Sequence, residues 1–347
     1  MNKIDLSENA KILIRLPNWV GDVVMATPSI LALLREKPQI EIHFALRKHL
    51  SPLIENFPNL KKIYPLEGKK ISSNLHFLKE ARKEKYDAFI VFAKGFRDGA
   101  IAKFSRSRVS VGFSVNQRKL LFTHPIEMTK ELWNSHHTIQ FATLLSPFGI
   151  ELKDEKTFLP IVENEKNNAL KILKENGLKE GNFIVFHIGA SKFPRAFHSE
   201  RFGKAAKEIE DKSGKEIVLI GTSDETQYSE DFIKACPNAK NLVGKISLKN
   251  LKNFLSLASL FVGNDSGPMH IAGSVGVPIV AVFGPGSPLK TAPFLKESKL
   301  RVIYKGFPCS PCRQSFFKDC KPSEYGKPPC LEAISFKEVV SAVFDLI

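Results

Sequence analysis

At 347 residues the chain is too long for one comfortable hydrophobic core, so two domains of about 150–170 residues are expected. Hydrophobic residues make up 43% with no low-complexity tract, which excludes a disordered protein, and no run of 18 apolar residues offers a membrane-spanning helix. The net charge of +15 is concentrated in residues 1–150, where 23 Lys and Arg face 13 Asp and Glu, so a nucleic acid, an anionic lipid surface or a phosphorylated substrate would each satisfy it.

Lys3, Asp5, Glu8 and Lys11 precede any apolar run, unlike the layout of a signal peptide, and a cytoplasmic location is expected. Residues 11–16 form a first predicted strand and 17–22 its loop. A helix follows over 23–35, with Val24, Ile30, Leu31 and Leu34 at helical spacing and Pro28 in its early turns. Strands are predicted at 40–46 and, as the third, at 87–92, separated by a Lys-rich helix over 73–85. The loop at 93–98 leads into another helix, residues 108–113 read as strand and turn, and 136–148 as a helix. The polar, Pro-containing stretch at 151–165 is the expected boundary, giving domains 1–160 and 161–347.

The second half repeats the alternation. Strands are predicted at 183–188 and 216–220, with loops at 189–195 and 221–225 and helices over 199–212 and 227–235. A short helix at 248–258 precedes the most legible stretch. There a strand at 260–262 gives way to Gly263-Asn264-Asp265-Ser266-Gly267, Pro268 opens a small-residue helix ending near Gly276, and 277–283 is a short continuous apolar run. That is a βαβ unit with a buried parallel strand. The fold class is therefore α/β, two doubly wound parallel-sheet domains facing each other across a ligand cleft.

A loop at the carboxyl end of such a strand, with a helix N-terminus behind it, suits an anion. Asp265 would oppose a bare phosphate but accepts hydroxyl hydrogen bonds, so a phosphate beside a polyol fits both features. The bland alternative is that Asp265 and Ser266 only cap the helix. Neither half carries the Gly-rich loop of dinucleotide enzymes or a P-loop after its first strand, and two facing α/β domains without those loops suggest a nucleotide-sugar enzyme.

Arg15-Leu-Pro-Asn18-Trp-Val-Gly-Asp22 with Ala26 and Pro28, and Asn264-Asp-Ser-Gly-Pro-Met-His270 with Phe283-Gly-Pro285, are specific motifs. By them the chain resembles, over nearly its whole length, glycosyltransferase family 9, the ADP-heptose:lipopolysaccharide heptosyltransferases. The Asn-Trp before Gly-Asp is closer to the heptosyltransferase II branch than to I. The resemblance implies a GT-B fold, with residues 1–160 binding the acceptor and 161–347 the donor, and inverting transfer of heptose from ADP-heptose to the inner core without a required metal. Asp22 matches the general base, and a merely helix-capping Asp22 is the alternative.

Where relatives have Lys-x-Trp-Pro after the Gly-Ala loop, this chain reads Arg195-Ala-Phe197-His198, so Arg195 would meet the diphosphate, with Lys192 sharing or taking the role. Gly189 and Ser191 line the donor loop. Glu225 matches the ribose contact, Asp265 the heptose contact, and Ser266, Gly267 and His270 the phosphate end; His270 could equally be a packed helix residue. Arg15, Asn18 and Arg97 are expected at the acceptor, a phosphorylated heptosyl-Kdo-lipid A. That acceptor and the anionic inner-membrane surface give the basic first domain a reason, and the protein is expected to sit peripherally on that membrane.

Cys309, Cys312, Cys320 and Cys330 fall within 22 residues of Pro/Lys-rich loop. In a cytoplasmic protein they read as a metal tetrad, zinc by default or iron, with the role of a structural clip. Some heptosyltransferase II relatives have such a cluster and others lack it, while related protein heptosyltransferases hold iron there. Cys236 stands alone as a buried small hydrophobe. Two other readings compete: a heptosyltransferase acting on protein, and a basic nucleic-acid-binding module. The second has no nucleic-acid motif to support it, and no nucleic-acid partner is expected. A sugar-nucleotide epimerase would need carboxylates and a His absent at matching spacing.

Overall fold

No strand of the two parallel sheets among the described residues is longer than seven residues, and in the interior strands nearly every residue is buried. A computed structural model describes residues 3–67, 71–312 and 316–347, and the chain divides into two compact units, Met1–Pro160 and Ile161–Ile347. The first unit contains β1 (Lys11–Arg15), β2 (Glu41–Arg47), β3 (Leu60–Leu66), β4 (Ala88–Val91), β5 (Val109–Phe113) and β6 (His124–Ile126), ordered β3-β2-β1-β4-β5-β6. The second contains β7 (Phe183–His187), β8 (Glu216–Ile220), β9 (Lys240–Asn241), β10 (Leu260–Asn264), β11 (Ile279–Phe283) and β12 (Leu300–Tyr304), ordered β12-β11-β10-β7-β8-β9. All these pairings are parallel.

The two orders are the same doubly wound pattern. In each unit the strand order reverses beside the first strand, between β1 and β4 and between β7 and β10. The loops leaving those two strands diverge there, and open α/β sheets bind ligands in that opening. β7, β10 and β11 are buried throughout, as expected of parallel strands covered on both faces.

Several elements differ from the expectations. The first helix runs Val20–Glu36, so Asp22 belongs to its first turn rather than to the preceding loop, and Pro28 lies in the helix interior rather than its early turns. Proline cannot supply the N–H that the Val24 carbonyl would receive; the Thr27 hydroxyl donates to that carbonyl instead, at 2.7 Å. The span 136–148 is an α-helix, His137–Ala142, continued by a 3-10 segment, Thr143–Phe148, that holds Pro147. A helix at Glu163–Glu175 begins within the stretch read as a polar boundary. The strand near residue 90 is the fourth, not the third, because β3 precedes it.

One buried side chain sews the second unit's reversal point together. Asn264, at the end of β10, accepts a hydrogen bond from the Phe197 N–H at 2.8 Å and donates from Nδ2 to the carbonyls of Ile188 at 2.9 Å and Gly189 at 3.1 Å. These groups lie in the segment that follows β7. Asn264→Ala would leave a buried donor and two buried acceptors short of a partner, and is expected to lower unfolding stability by about 2–4 kcal/mol in urea denaturation. A loss under about 0.5 kcal/mol, the scatter of ordinary surface changes, would mean that the amide is no strut.

Candidate active site

At the reversal point of the second unit, three loops bring charge together. The loop after β7 carries Arg195, on a 3-10 turn Phe193–Arg195, and the loop after β10 carries Asp265 and Ser266 at the start of the helix Gly267–Ser274. Arg195 Nη2 donates to Asp265 Oδ2 at 2.5 Å and to the Asp265 carbonyl at 3.2 Å, and Thr291 donates to Asp265 Oδ1 at 3.4 Å. Both members of the ion pair are mostly buried. The loop after β8 contributes Glu225, whose Oε2 accepts the Thr222 N–H at 2.7 Å. Burial raises the Glu225 carboxyl above its usual range, against the hydrogen bond from Thr222.

Two glycines make room for these acids. A Cβ on Gly189 would fall 1.6 Å from Glu225 Oε1, and one on Gly286 would fall 2.2 Å from Asp265 Oδ2. Each carboxylate therefore packs directly on backbone, and each glycine is required by close approach.

A residue without a place in the sequence argument joins the two loops. His187 ends β7, is only 4% exposed, and places Nδ1 3.3 Å from the Ser266 hydroxyl and Nε2 3.7 Å from Glu225 Oε2. Its signal was available: a histidine closing the apolar run Phe-Ile-Val-Phe, one residue before a Gly-Ala loop. Gly189 is buried beside it, Ser266 and Gly267 are partly exposed at the helix N-terminus, and His270 is buried on that helix. Ser191 and Lys192 are exposed; the Lys192 ammonium lies 5.3 Å from the Phe316 ring, whereas Arg195 is the cation at Asp265.

In the first unit, Asp22 Oδ1 lies 3.1 Å from His137 Nδ1, and both side chains keep about a quarter of their surface exposed, 26% and 27%. The carboxylate is open to an incoming group while the imidazole, from the helix His137–Ala142, fixes its direction. His137 was not foreseen, since nothing in the sequence pairs it with a residue 115 positions away. Arg15 has a different place from the one expected at an acceptor. It is 1% exposed, and Nε donates to Asp98 Oδ1 at 2.8 Å while Nη2 donates to Asn18 Oδ1 at 2.7 Å. Burial lowers the Arg15 pKa and the Asp98 charge opposes the shift. Arg15 thus ties the end of β1 to the helix Phe96–Ser105 and orients Asn18, which also accepts from Arg47 Nε at 3.3 Å. Arg97 is partly exposed on that same helix.

Cys330 is buried in the short helix Pro329–Glu332, Cys312 and Cys320 are partly exposed, and Cys309 is exposed. Burial pushes the Cys330 thiol up to about 11, and Cys309, Cys312 and Cys320 each add to the shift. Among the described residues no group of three or more His, Cys, Asp or Glu is arranged to hold a metal ion.

A cation, a helix N-terminus and two acids that can accept hydroxyls offer the groups that a phosphorylated polyol needs. The chain belongs to glycosyltransferase family 9, the heptosyltransferases, whose family model matches residues 75–320. It is 26% identical to a lipooligosaccharide heptosyltransferase 2 of Campylobacter jejuni, over 97% of this chain and 99% of the relative. Its fold resembles that of a family 9 glycosyltransferase from Veillonella parvula, with a TM-score of 0.83, 22% identity and 98% of each chain covered. It also resembles E. coli ADP-heptose heptosyltransferase II, with a TM-score of 0.78, 22% identity, and 97% of this chain and 98% of that one covered. The architecture is the GT-B fold, and the protein is a glycosyltransferase.

Burial holds the His187 pKa down at about 4, against 6.5 for a free imidazole. Above pH 6.5 both folded and unfolded chains carry it neutral. As the pH falls from 6.5 toward 4 only the unfolded chain takes up the proton, so stability is lost by up to about 1.4 kcal/mol per pH unit. His187→Gln should flatten this part of the stability profile in urea titrations at pH 7.5, 6 and 5. An unchanged slope in the variant would assign the acid sensitivity to other groups.

Proposed function

We propose that the protein moves heptose from ADP-heptose to a phosphorylated lipopolysaccharide inner core, heptosyl-Kdo-lipid A, with inversion, as a heptosyltransferase II. The observation that carries this reading is the array at the reversal point of the second unit: Arg195 on Asp265, with Glu225 and the N-terminus of the helix Gly267–Ser274 close by. Likeness along almost the whole chain to a lipooligosaccharide heptosyltransferase 2 supports the choice of branch.

The residues have separable tasks in this mechanism. Glu225 accepts the ribose hydroxyls and Asp265 those of the heptose. Asp22, aimed by His137, takes the proton of the acceptor hydroxyl as its oxygen attacks the heptose anomeric carbon. The bond from that carbon to the diphosphate oxygen breaks on the opposite face, which inverts the centre. ADP gains negative charge as it leaves, so Arg195 and the helix N-terminus act most strongly in the transition state. Each takes part without a metal ion. The basic first unit is suited to a phosphorylated acceptor and to an anionic membrane surface; no helix among the described residues is long and apolar enough to cross a membrane.

Thermal-shift titration with ADP-, UDP- and GDP-sugars tests the donor, and transfer assays on lipopolysaccharide core against a protein acceptor test the acceptor. Asp22→Asn should bind ADP-heptose almost as the wild type does and lose at least ~100-fold in turnover, the usual contribution of a general base. Retention of more than about a tenth of the rate would remove Asp22 from that role.

We further propose that the four cysteines take up one zinc or iron ion. The support is the chemistry and spacing of the donor set, four soft sulfurs within 22 residues suited to either metal. Cys309, Cys312, Cys320 and Cys330 would bind as thiolates, and the ion would serve to close the loop. Protein purified without chelator should contain about one equivalent, with Cys312→Ser lowering metal content and melting temperature together. Metal-free protein whose melting temperature ignores the substitution would refute the site.

A further inference from the structure

Arg195 stands on a very short support. The turn Phe193–Arg195 is closed by the Arg195 N–H on the Lys192 carbonyl at 2.9 Å and the Ala196 N–H on the Phe193 carbonyl at 3.1 Å. An isolated turn of this length fixes several dihedrals for each hydrogen bond and is marginal by itself. Its stiffness must come from packing against another part of the chain.

Lys327 supplies such a contact. It is 5% exposed, its Nζ donates to the Phe193 carbonyl at 3.1 Å, and the same ammonium lies 3.4 Å from the centroid of the Phe193 ring. The carbonyl it grips is one of the two that close the Arg195 turn. The Phe193 ring also meets Tyr228, with centroids 5.4 Å apart. Burial draws the Lys327 ammonium down to about 8, with Glu332 opposing, so it remains largely charged at neutral pH. Out of water, both its carbonyl bond and its ring contact are stronger than on a surface.

Lys327 itself comes from a fixed platform. Its N–H donates to the Ser323 hydroxyl at 3.2 Å and its carbonyl receives the Ser323 N–H at 2.9 Å. The Ser323 hydroxyl donates to Glu332 Oε1 at 2.6 Å, and Arg201 Nη2 donates to Glu332 Oε2 at 2.7 Å. The turn at 323–327 is thereby pinned, through Glu332 and Arg201, to the helix Ser199–Ser213.

We propose that Lys327 is a positioning residue for Arg195, so that the cysteine-bearing loop, besides any structural part it plays, sets the geometry of the donor site. The proposal rests on the reading of Arg195 as the cation for the diphosphate. Lys327 touches neither substrate nor Asp265 in this scheme; it acts through the Phe193 carbonyl.

Hydrogen exchange tests the brace without any ligand. In Lys327→Met, amides in residues 193–197 should exchange at least about tenfold faster while those of β7 keep their protection, and Lys327→Arg should restore most of the loss. Unchanged protection of 193–197 overturns the proposal. Calorimetry with ADP tests its consequence: Lys327→Met should weaken ADP about tenfold, and in an Arg195→Ala background it should add less than about twofold. Fully additive losses would show that Lys327 acts independently of Arg195, and overturn it as well. Wild-type protein that ignores ADP would refute the ADP-heptose reading instead, leaving exchange to decide the brace. Should Lys327→Met fail to fold, Lys327→Gln takes its place in both measurements.

Discussion

Each unit depends on a polar side chain buried where its strand order reverses. At that point two neighbouring strands send their chains away to different sides, and the ladder of backbone hydrogen bonds stops. Asn264 continues the connection in the second unit, reaching the Ile188 and Gly189 carbonyls and the Phe197 N–H. In the first unit Arg15 does the equivalent with Asp98 and Asn18. Without such bridges the opening that receives a ligand would also be where the sheet frays. A fully satisfied buried network holds it open at fixed width.

The charges of the second unit are arranged on the same principle. Arg195 does not wait in solvent; it is already mostly out of water and paired with Asp265. Much of the desolvation that binding an anion there would demand is met when the chain folds. A cation held in place before its partner arrives stabilises developing charge without reorganising, which is how electrostatic catalysis gains most. His187, kept neutral by burial, joins Ser266 and Glu225 without adding charge of its own.

What the sequence discloses follows physical lines. The interior strands β1, β2, β4, β5, β7, β8, β10 and β11 were all legible, because a strand covered on both faces needs a continuous apolar run. β3, β6, β9 and β12 were not, and they are the four edges of the two sheets. Edge strands bear charge and proline to resist further pairing: β3 contains Lys61, Lys62 and Pro65, β6 contains Pro125, and β9 is Lys240–Asn241. The loop motifs around Asp22, Arg195, Glu225 and Asp265 stand out in the sequence because they are short and local. Arg15 had the right motif and a different task, since a sequence does not tell a guanidinium that faces a ligand from one enclosed by Asp98. His137 and Lys327 had no local signal, as each works through a partner more than a hundred residues away.

Gly189 and Gly286 bear on how such a site can change over time. Each is the empty space occupied by one acid, Glu225 and Asp265 respectively. A side chain acquired at either glycine would evict a carboxylate and leave the formal charge of the protein as it was. The loops can therefore drift in sequence only around two fixed gaps. New ligand preferences would have to arise from the residues flanking each glycine and acid, because neither member of a pair can move without the other.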